Sequence, residues 1–341
     1  MTQEQTLQIK GIAILMMLYV HLFHSTENVE LCTYWLHYGS TPLFQKLTRC
    51  ATPVPFFLII SGYGFMKALM NKRQSRKTKL QRILNLYIPY WMVTTIMCLI
   101  ALCIFNDRGL DFSLQSIIYN ITAINTTYNP HCWFILPYLL LATFSHPICQ
   151  FVQNNKAITI FLIGLICHIF TYAALDYWDE FLHNNLMILL AVNWGYLLFP
   201  FFLGTLLAKY TWNMPTGFCK TWGSKHPQAF FFLCLLLVVF AKLHFPGTVN
   251  PIYAIAFVFF FIKLPAIPII TSCLKQLGQY SLGMWFVHGW LLNVFLYNTL
   301  FSLRYPIIIF ITLILMSLLA AYILNYLQKI AKLKIHRLRE V

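Results

Sequence analysis

Long apolar runs alternate with short polar segments along the whole chain. A helix that crosses a bilayer needs about 20 mainly apolar residues, whereas a membrane barrel shows alternating segments of about ten. The runs therefore predict an all-α fold, a polytopic transmembrane helical bundle of about ten helices in a single membrane-embedded domain, 1–341. The expected spans lie near residues 9–25, 52–70, 84–105, 131–152, 157–175, 184–208, 228–245, 250–270, 277–298 and 303–327.

The charged residues between the runs predict the orientation of the bundle. Segment 71–82 has six basic residues and no acid, segment 209–227 has lysines without acid, and the basic tail 328–341 has five Lys/Arg residues and one Glu. Acidic residues concentrate in segments 106–130 and 176–183. Ten crossings place every basic segment on one face. The positive-inside rule then puts that face, with both termini, in the cytoplasm.

Composition favours a membrane protein and argues against nucleic-acid binding. Of the 341 residues, 59% are apolar and only 10% are charged, whereas soluble domains have roughly a quarter charged residues. The net charge of +15 is divided among short segments and forms no continuous basic stripe, so we expect contact with the lipid bilayer and no nucleic acid. The sequence has no Cys/His spacing typical of zinc, and we expect no metal.

The first span carries the strongest candidates for chemistry. Lys10 and His21 are 11 residues apart, which places them within about 20° on one helix face and about 16 Å apart along its axis. One hypothesis is that Lys10 binds an anionic ligand from the cytosol while His21 accepts or donates a proton, since the unperturbed pKa of imidazole is about 6.5. The alternative is that Lys10 reaches lipid phosphates while His21 and His24 anchor the other end of the helix.

Later spans add weaker candidates. Ser281 and His288 share a helix face, but two helical turns between them prevent a Ser–His nucleophilic pair, and packing is the alternative role for His288. His131 and Trp133 begin the fourth span, where Trp is usually an interfacial anchor. The patch Ser61-Gly62 with Gly64 favours close helix approach over ligand contact.

Basic segment 71–82 contains two further patterns. Arg73 and Arg76 form R-x-x-R, and Lys79 and Arg82 form K-x-x-R. Such residues signal topology, and the planar guanidinium of Arg also suits the phosphates of a cytosolic cofactor.

These motifs, in this order, resemble the acyltransferase-3 family of integral-membrane acyltransferases, which includes bacterial polysaccharide O-acetyltransferases. The basic pair departs from the family pattern. Asn85 stands where a second arginine would follow Arg82, so the pair is either Arg73/Arg76 or Lys79/Arg82. The matching segments are KGIAIL with His21, FFLIISGYGF, RILNLYIPY from Arg82, HCWFILP from His131 and SLGMWFVH from Ser281.

The resemblance implies an acyl donor, usually acetyl-CoA, that enters from the cytoplasm, and an acceptor hydroxyl on a sugar, polysaccharide or lipid-linked glycan. It also implies a multi-pass protein of a bacterial inner membrane. His21 would be the general base. The CoA phosphates would be held by Lys10, Arg73, Arg76, Lys79 and Arg82, and the substrate site would be lined by His24, His131, Trp133, Ser281 and His288.

A different class stays open at this point. A transporter of a lipid-linked sugar or small anion also contains interrupted helices, and Pro265 and Pro268 interrupt the span 250–270. The chain shows no two-fold duplication, which disfavours that reading. A non-catalytic scaffold would leave Lys10 and His21 unexplained.

Overall fold

The computed structural model describes the backbone of residues 1–71, 76–104, 109–210 and 226–338, and the side chains of this part except those of 76–79 and 331–338. It confirms the all-α bundle. The α-helices of this part are α1 Gln3–Phe23, α2 Thr26–Glu30, α3 Leu43–Leu47, α4 Pro53–Met70, α5 Arg76–Cys103, α6 Leu114–Thr122, α7 Ile135–Thr143, α8 Ser145–Asn154, α9 Ala157–Tyr177, α10 Asp179–Asn184, α11 Leu186–Tyr210, α12 Pro227–Lys242, α13 Asn250–Phe261, α14 Pro268–Trp290, α15 Tyr297–Ser302 and α16 Pro306–Leu338.

Short irregular elements connect the helices. Strands β1 (His37–Tyr38) and β2 (Thr41–Pro42) pair antiparallel, with Tyr38 opposite Thr41. Trp290 is followed by a π-helical turn, Leu291–Phe295. The 3₁₀ turns are Thr48–Cys50, Pro130–Cys132 and Gly247–Val249.

Length and apolar composition qualify six described helical segments as membrane spans, and a bent pair would make seven. The bent pair, Pro130–Thr143 with Ser145–Asn154, replaces the continuous span expected at 131–152 and turns by 60°. Pro147 lies in the first turn of α8, where its missing N–H needs no partner, and so favours a new helix start there. The six segments are Gln3–Phe23, Leu43–Met70, Leu80–Cys103, Ala157–Tyr177, Leu186–Tyr210 and Pro306–Ile330.

The remaining expected spans also contain helices, with different limits. The helix at 250–270 ends at Phe261, because Pro265 and Pro268 disfavour helical conformation in the residues before them. Pro268 instead begins α14, well before the expected start at residue 277. The expected tail 328–341 continues α16 as far as Leu338.

Two close helix pairs form the centre of the bundle. In α1 and α14, a Cβ added to Gly11 or Gly278 would collide with a backbone carbonyl, that of Leu274 or Leu7 respectively. The glycines of α4 and α11 pack in the same way, since a Cβ on Gly62 would meet the Phe201 carbonyl. The expected role of the patch Ser61-Gly62 with Gly64 in helix approach is thus confirmed for Gly62, whereas Ser61 lines a cavity with Lys10. Gly64, in contrast, has open space around it.

The packing fixes the relative directions of the central helices. α1 and α14 run parallel, because Leu7 packs beside Gly278 near one end and His21 contacts His288 near the other. α16 runs the opposite way, with Phe310 against Tyr19 near the His21 end. The start of α1 and the end of α16 therefore lie at the same face of the bundle.

Candidate active site

Three histidines from distant parts of the sequence meet near the ends of α1 and α14. The His21 ring stacks on the His131 ring with centroids 4.0 Å apart and on the His288 ring at 4.9 Å. The His131 and His288 centroids are 5.0 Å apart. His288 is fully buried. The site residues expected on three separate spans thus form one cluster, which we call the histidine cluster.

Contacts with α14 hold the His131 turn in place. The Trp285 indole Nε1 donates to the His131 carbonyl over 2.9 Å, and the Asn129 side-chain amide donates to the Phe286 carbonyl over 2.8 Å. A Cβ at Gly289 would collide with the His131 ring, so this ring can approach α14 only where the helix has no side chain. The turn and the helix end are therefore built as one unit.

The hydrogen bonds assign the tautomers of His288 and His21. The His288 Nδ1 lies 2.7 Å from the Trp285 carbonyl, which can only accept, so Nδ1 carries the proton. In the neutral ring, Nε2 of His288 then holds a lone pair, and it lies 2.7 Å from Nδ1 of His21. Nδ1 of His21 must therefore donate, which leaves the lone pair of His21 on Nε2. That nitrogen has no hydrogen-bond partner among the described residues.

A cavity of about 320 Å³, the inner cavity, lies toward the start of α1. It brings together three of the predicted residues, Lys10, Arg82 and Ser281. Ser281 donates to the Gly278 carbonyl over 2.9 Å and does not contact His288, as its spacing predicted. Asn85 also lines the cavity. No acidic side chain occurs among the described residues that line it, so its two cations face a space without an internal counter-charge.

A second cavity of about 1000 Å³, the outer cavity, lies at the other end of α1 and includes His21 and His24. Trp285 lines the inner cavity and is bonded to the His131 carbonyl, while the His131 ring stacks on His21. The histidine cluster therefore stands between a cavity with Lys10 and Arg82 and a cavity with His24.

Some of the predicted site residues do not join this arrangement. Trp133 lines neither of these cavities and borders a neighbouring pocket with Asp176, which shares Tyr172 and Tyr196 with the outer cavity. Arg73 lies outside the described residues. Arg76 and Lys79 lie on α5, but their side chains are outside the described part, so the choice of basic pair is not decided.

The cluster has enough donor atoms for a metal ion, since one ligand nitrogen from each histidine lies within 4.8 Å of the others. The hydrogen bonds do not favour that use. Nδ1 of His21 and Nε2 of His288 bond each other, and Nε2 of His131 lies 3.1 Å from the Asn293 amide nitrogen. The geometry fits a proton-transfer site better than a metal centre.

The comparison with protein families matches an acyltransferase domain over residues 8–326. The chain belongs to the acyltransferase-3 family. This match confirms the resemblance drawn from the motifs, and it shows that the protein is a multi-pass membrane acyltransferase. Neither the comparison with curated proteins nor that with solved structures gave a match.

The structure of the acyltransferase adds two residues, and one contact of a predicted residue, that sequence reasoning missed. Trp285 and Asn129 position His131, and His288 contacts His21 directly. The spacing of Ser281 and His288 predicts contacts only within one helix. It therefore could not reveal that His288 contacts a residue on α1. The adjacency of α1 and α14 would have required recognition of their paired glycines, Gly11 and Gly278.

Proposed function

We propose that this acyltransferase moves an acetyl group from acetyl-CoA to a hydroxyl of a sugar, polysaccharide or lipid-linked glycan, with His21 as the general base. One observation carries the proposal. The hydrogen bonds from Trp285 through His288 leave an unprotonated nitrogen on His21, a residue of the outer cavity. A general base needs such a nitrogen within reach of the hydroxyl that it deprotonates.

The donor occupies the inner cavity in this proposal. Lys10 and Arg82 pair there with CoA phosphates, because an ammonium and a guanidinium both donate charge-assisted hydrogen bonds to phosphate oxygens. The face that holds the termini is the cytoplasmic one, in agreement with its basic loops. This orientation suits a bacterial inner membrane, where acetyl-CoA is available on that side.

The acceptor enters from the outer cavity and the reaction takes place at the histidine cluster. The acceptor oxygen attacks the thioester carbonyl carbon while Nε2 of His21 takes the hydroxyl proton. The C–S bond then breaks, an ester C–O bond remains, and the proton passes from His21 to the CoA sulfur. His288 accepts from Nδ1 of His21 throughout and stabilises the transient imidazolium. A general base contributes about 10²- to 10⁴-fold in rate, so positioning must supply much of the remainder.

The test is transfer of labelled acetyl from acetyl-CoA to glycan in membranes that contain the protein. His21→Ala should lower transfer by about 10²-fold or more. His24→Ala is the matched control, since it removes an imidazole from the same cavity but not from the cluster, and it should lower transfer far less than His21→Ala does. Full activity in His21→Ala would reject the proposed base. A protein that neither binds acetyl-CoA nor transfers acetyl to any glycan would reject the function as a whole.

A further inference from the structure

The outer cavity has a basic lining that the proton-transfer step does not use. Lys46, Arg49 and Lys242 line it together with His24 and His244. No Asp or Glu occurs among the described residues that line the cavity. Both ion pairs found among the described residues lie elsewhere, at His183–Asp179 and Lys275–Glu4. Within the described part of the chain, no carboxylate therefore neutralises the cations of the cavity.

These cations also lie at the end of the bundle where the positive-inside rule disfavours them. The rule places Lys and Arg preferentially on the face with the termini, whereas Lys46 and Arg49 belong to the segment that follows α1 at its other end. Orientation signalling therefore does not account for them. Lys46 lies over the Tyr38 ring, and Arg49 donates to the Leu243 carbonyl over 3.4 Å. Neither partner carries a negative charge, so both cations remain available to pair with an anion.

Lys242 is the most informative of the three. It is only 3% exposed, and its ammonium is hydrogen-bonded to the Phe245 carbonyl at 3.3 Å, with no acidic side chain in contact within the described part of the chain. Its place at the end of α12 gives a favourable helix dipole, but that effect reaches only about 2 kcal/mol even in partly buried geometries. A buried ammonium costs several kcal/mol unless it is paired. An anion in the cavity would supply the pair.

Neutral polar atoms in the same cavity also lack partners. Oγ1 of Thr52 and Oδ1 of Asn250 are buried without a hydrogen bond among the described residues, and both residues line the outer cavity. Buried polar atoms are rarely left unsatisfied. A ligand with hydroxyl groups would satisfy both atoms, since an amide oxygen accepts and a threonine hydroxyl donates or accepts.

From these observations we propose that the outer cavity binds an anionic glycan, with Arg49 and Lys242 pairing its carboxylate or phosphate groups and Thr52 and Asn250 its hydroxyls. This inference rests on the proposed function for the role of the glycan as acetyl acceptor. The binding itself does not depend on acetyl transfer. The cavity, at about 1000 Å³, has room for more than one sugar ring.

The test measures equilibrium binding, without acyl donor, to the protein in nanodiscs of phosphatidylcholine. Three probes are compared: a galacturonate hexamer, its carboxyl-reduced neutral hexamer, and farnesyl-diphospho-N-acetylglucosamine. At least one anionic probe should bind about tenfold or more tightly than the neutral hexamer, as expected for one or two charge-assisted hydrogen bonds. Tighter binding of the galacturonate hexamer would identify uronate as the anion. Tighter binding of the diphosphate probe would identify a lipid-linked glycan.

Two variants and a matched control locate the effect. Arg49→Gln and Lys242→Met should each remove most of the preference for the anionic probe, while Lys275→Gln, which removes an equal charge at the opposite end of the bundle, should leave it unchanged. Equal affinity for charged and neutral probes in the wild type would overturn the inference, as would wild-type preference in both variants. Anion binding without any acetyl transfer would reject the proposed function but support the anion-binding site. Acetyl transfer that depends on His21 but prefers a neutral glycan would support the proposed function and reject the anion-binding site.

Discussion

At the scale of single residues, Trp285 connects the inner cavity to the histidine cluster. Its ring stacks on Phe134 with centroids 4.1 Å apart, and its Nε1 holds the His131 carbonyl. Trp285→Phe would keep an aromatic ring in place and lose the hydrogen bond. We expect kcat to fall by about tenfold, since a small displacement in an active site costs up to about 10²-fold.

The readout for Trp285→Phe is steady-state kinetics with acetyl-CoA and a glycan acceptor. The affinity for acetyl-CoA should change little, because Lys10 and Arg82, the cations proposed to bind the CoA phosphates, are on other helices. An unchanged kcat would show that the position of His131 does not matter for the reaction.

The sequence predicted His131 as a site residue from its motif, but the hydrogen bond from Trp285 could not be predicted because it joins positions 154 residues apart.

At the scale of helices, the close contact of α1 with α14 places His21 beside His288. Gly278→Ala would drive a Cβ into the Leu7 carbonyl, and backbone on both sides leaves no flexible side chain to move. Overpacking of this kind costs about 1–3 kcal/mol. We expect a lower Tm in detergent and a loss of transfer.

Gly64→Ala is the control for this prediction, because nothing lies within 4 Å of the added Cβ. It should leave both Tm and activity unchanged, and equal effects of the two substitutions would contradict the account of helix packing.

The positions of the helices were largely predictable from apolar runs. Their breaks at Pro265, Pro268 and Pro147 were less so, because proline is compatible with both a kinked span and two separate helices.

At the scale of the whole molecule, the proposed mechanism assigns the donor to one cavity and the acceptor to the other. Lys10→Met and Arg82→Gln should each raise KM for acetyl-CoA by about tenfold with a smaller effect on kcat, because a charge-assisted hydrogen bond contributes about 1.5–3 kcal/mol. Lys275→Gln, exposed at the same end of the bundle, should have no effect. A lower kcat with an unchanged KM would place the donor elsewhere.

The sequence predicted the cations of the inner cavity from spacing on α1 and from the basic segment 71–82, whose last part lies in α5. It did not predict the outer cavity, whose basic residues come from segments that show no pattern of their own. Lys46 and Arg49 precede α4, and Lys242 ends α12. Only the packing of these segments around the end of α1 creates a common surface.

The most direct test of the central claim is a double-mutant cycle on His21 and His288, measured as single-turnover acetyl transfer. If the two imidazoles act as one unit, His288→Ala should lower the rate in the wild-type background, by about 10²-fold, and cause no further loss in His21→Ala. Acetyl-CoA affinity should be the same in all four proteins, which excludes misfolding as the cause. Losses that multiply in the double variant would show that His288 acts independently of His21 and would contradict the account.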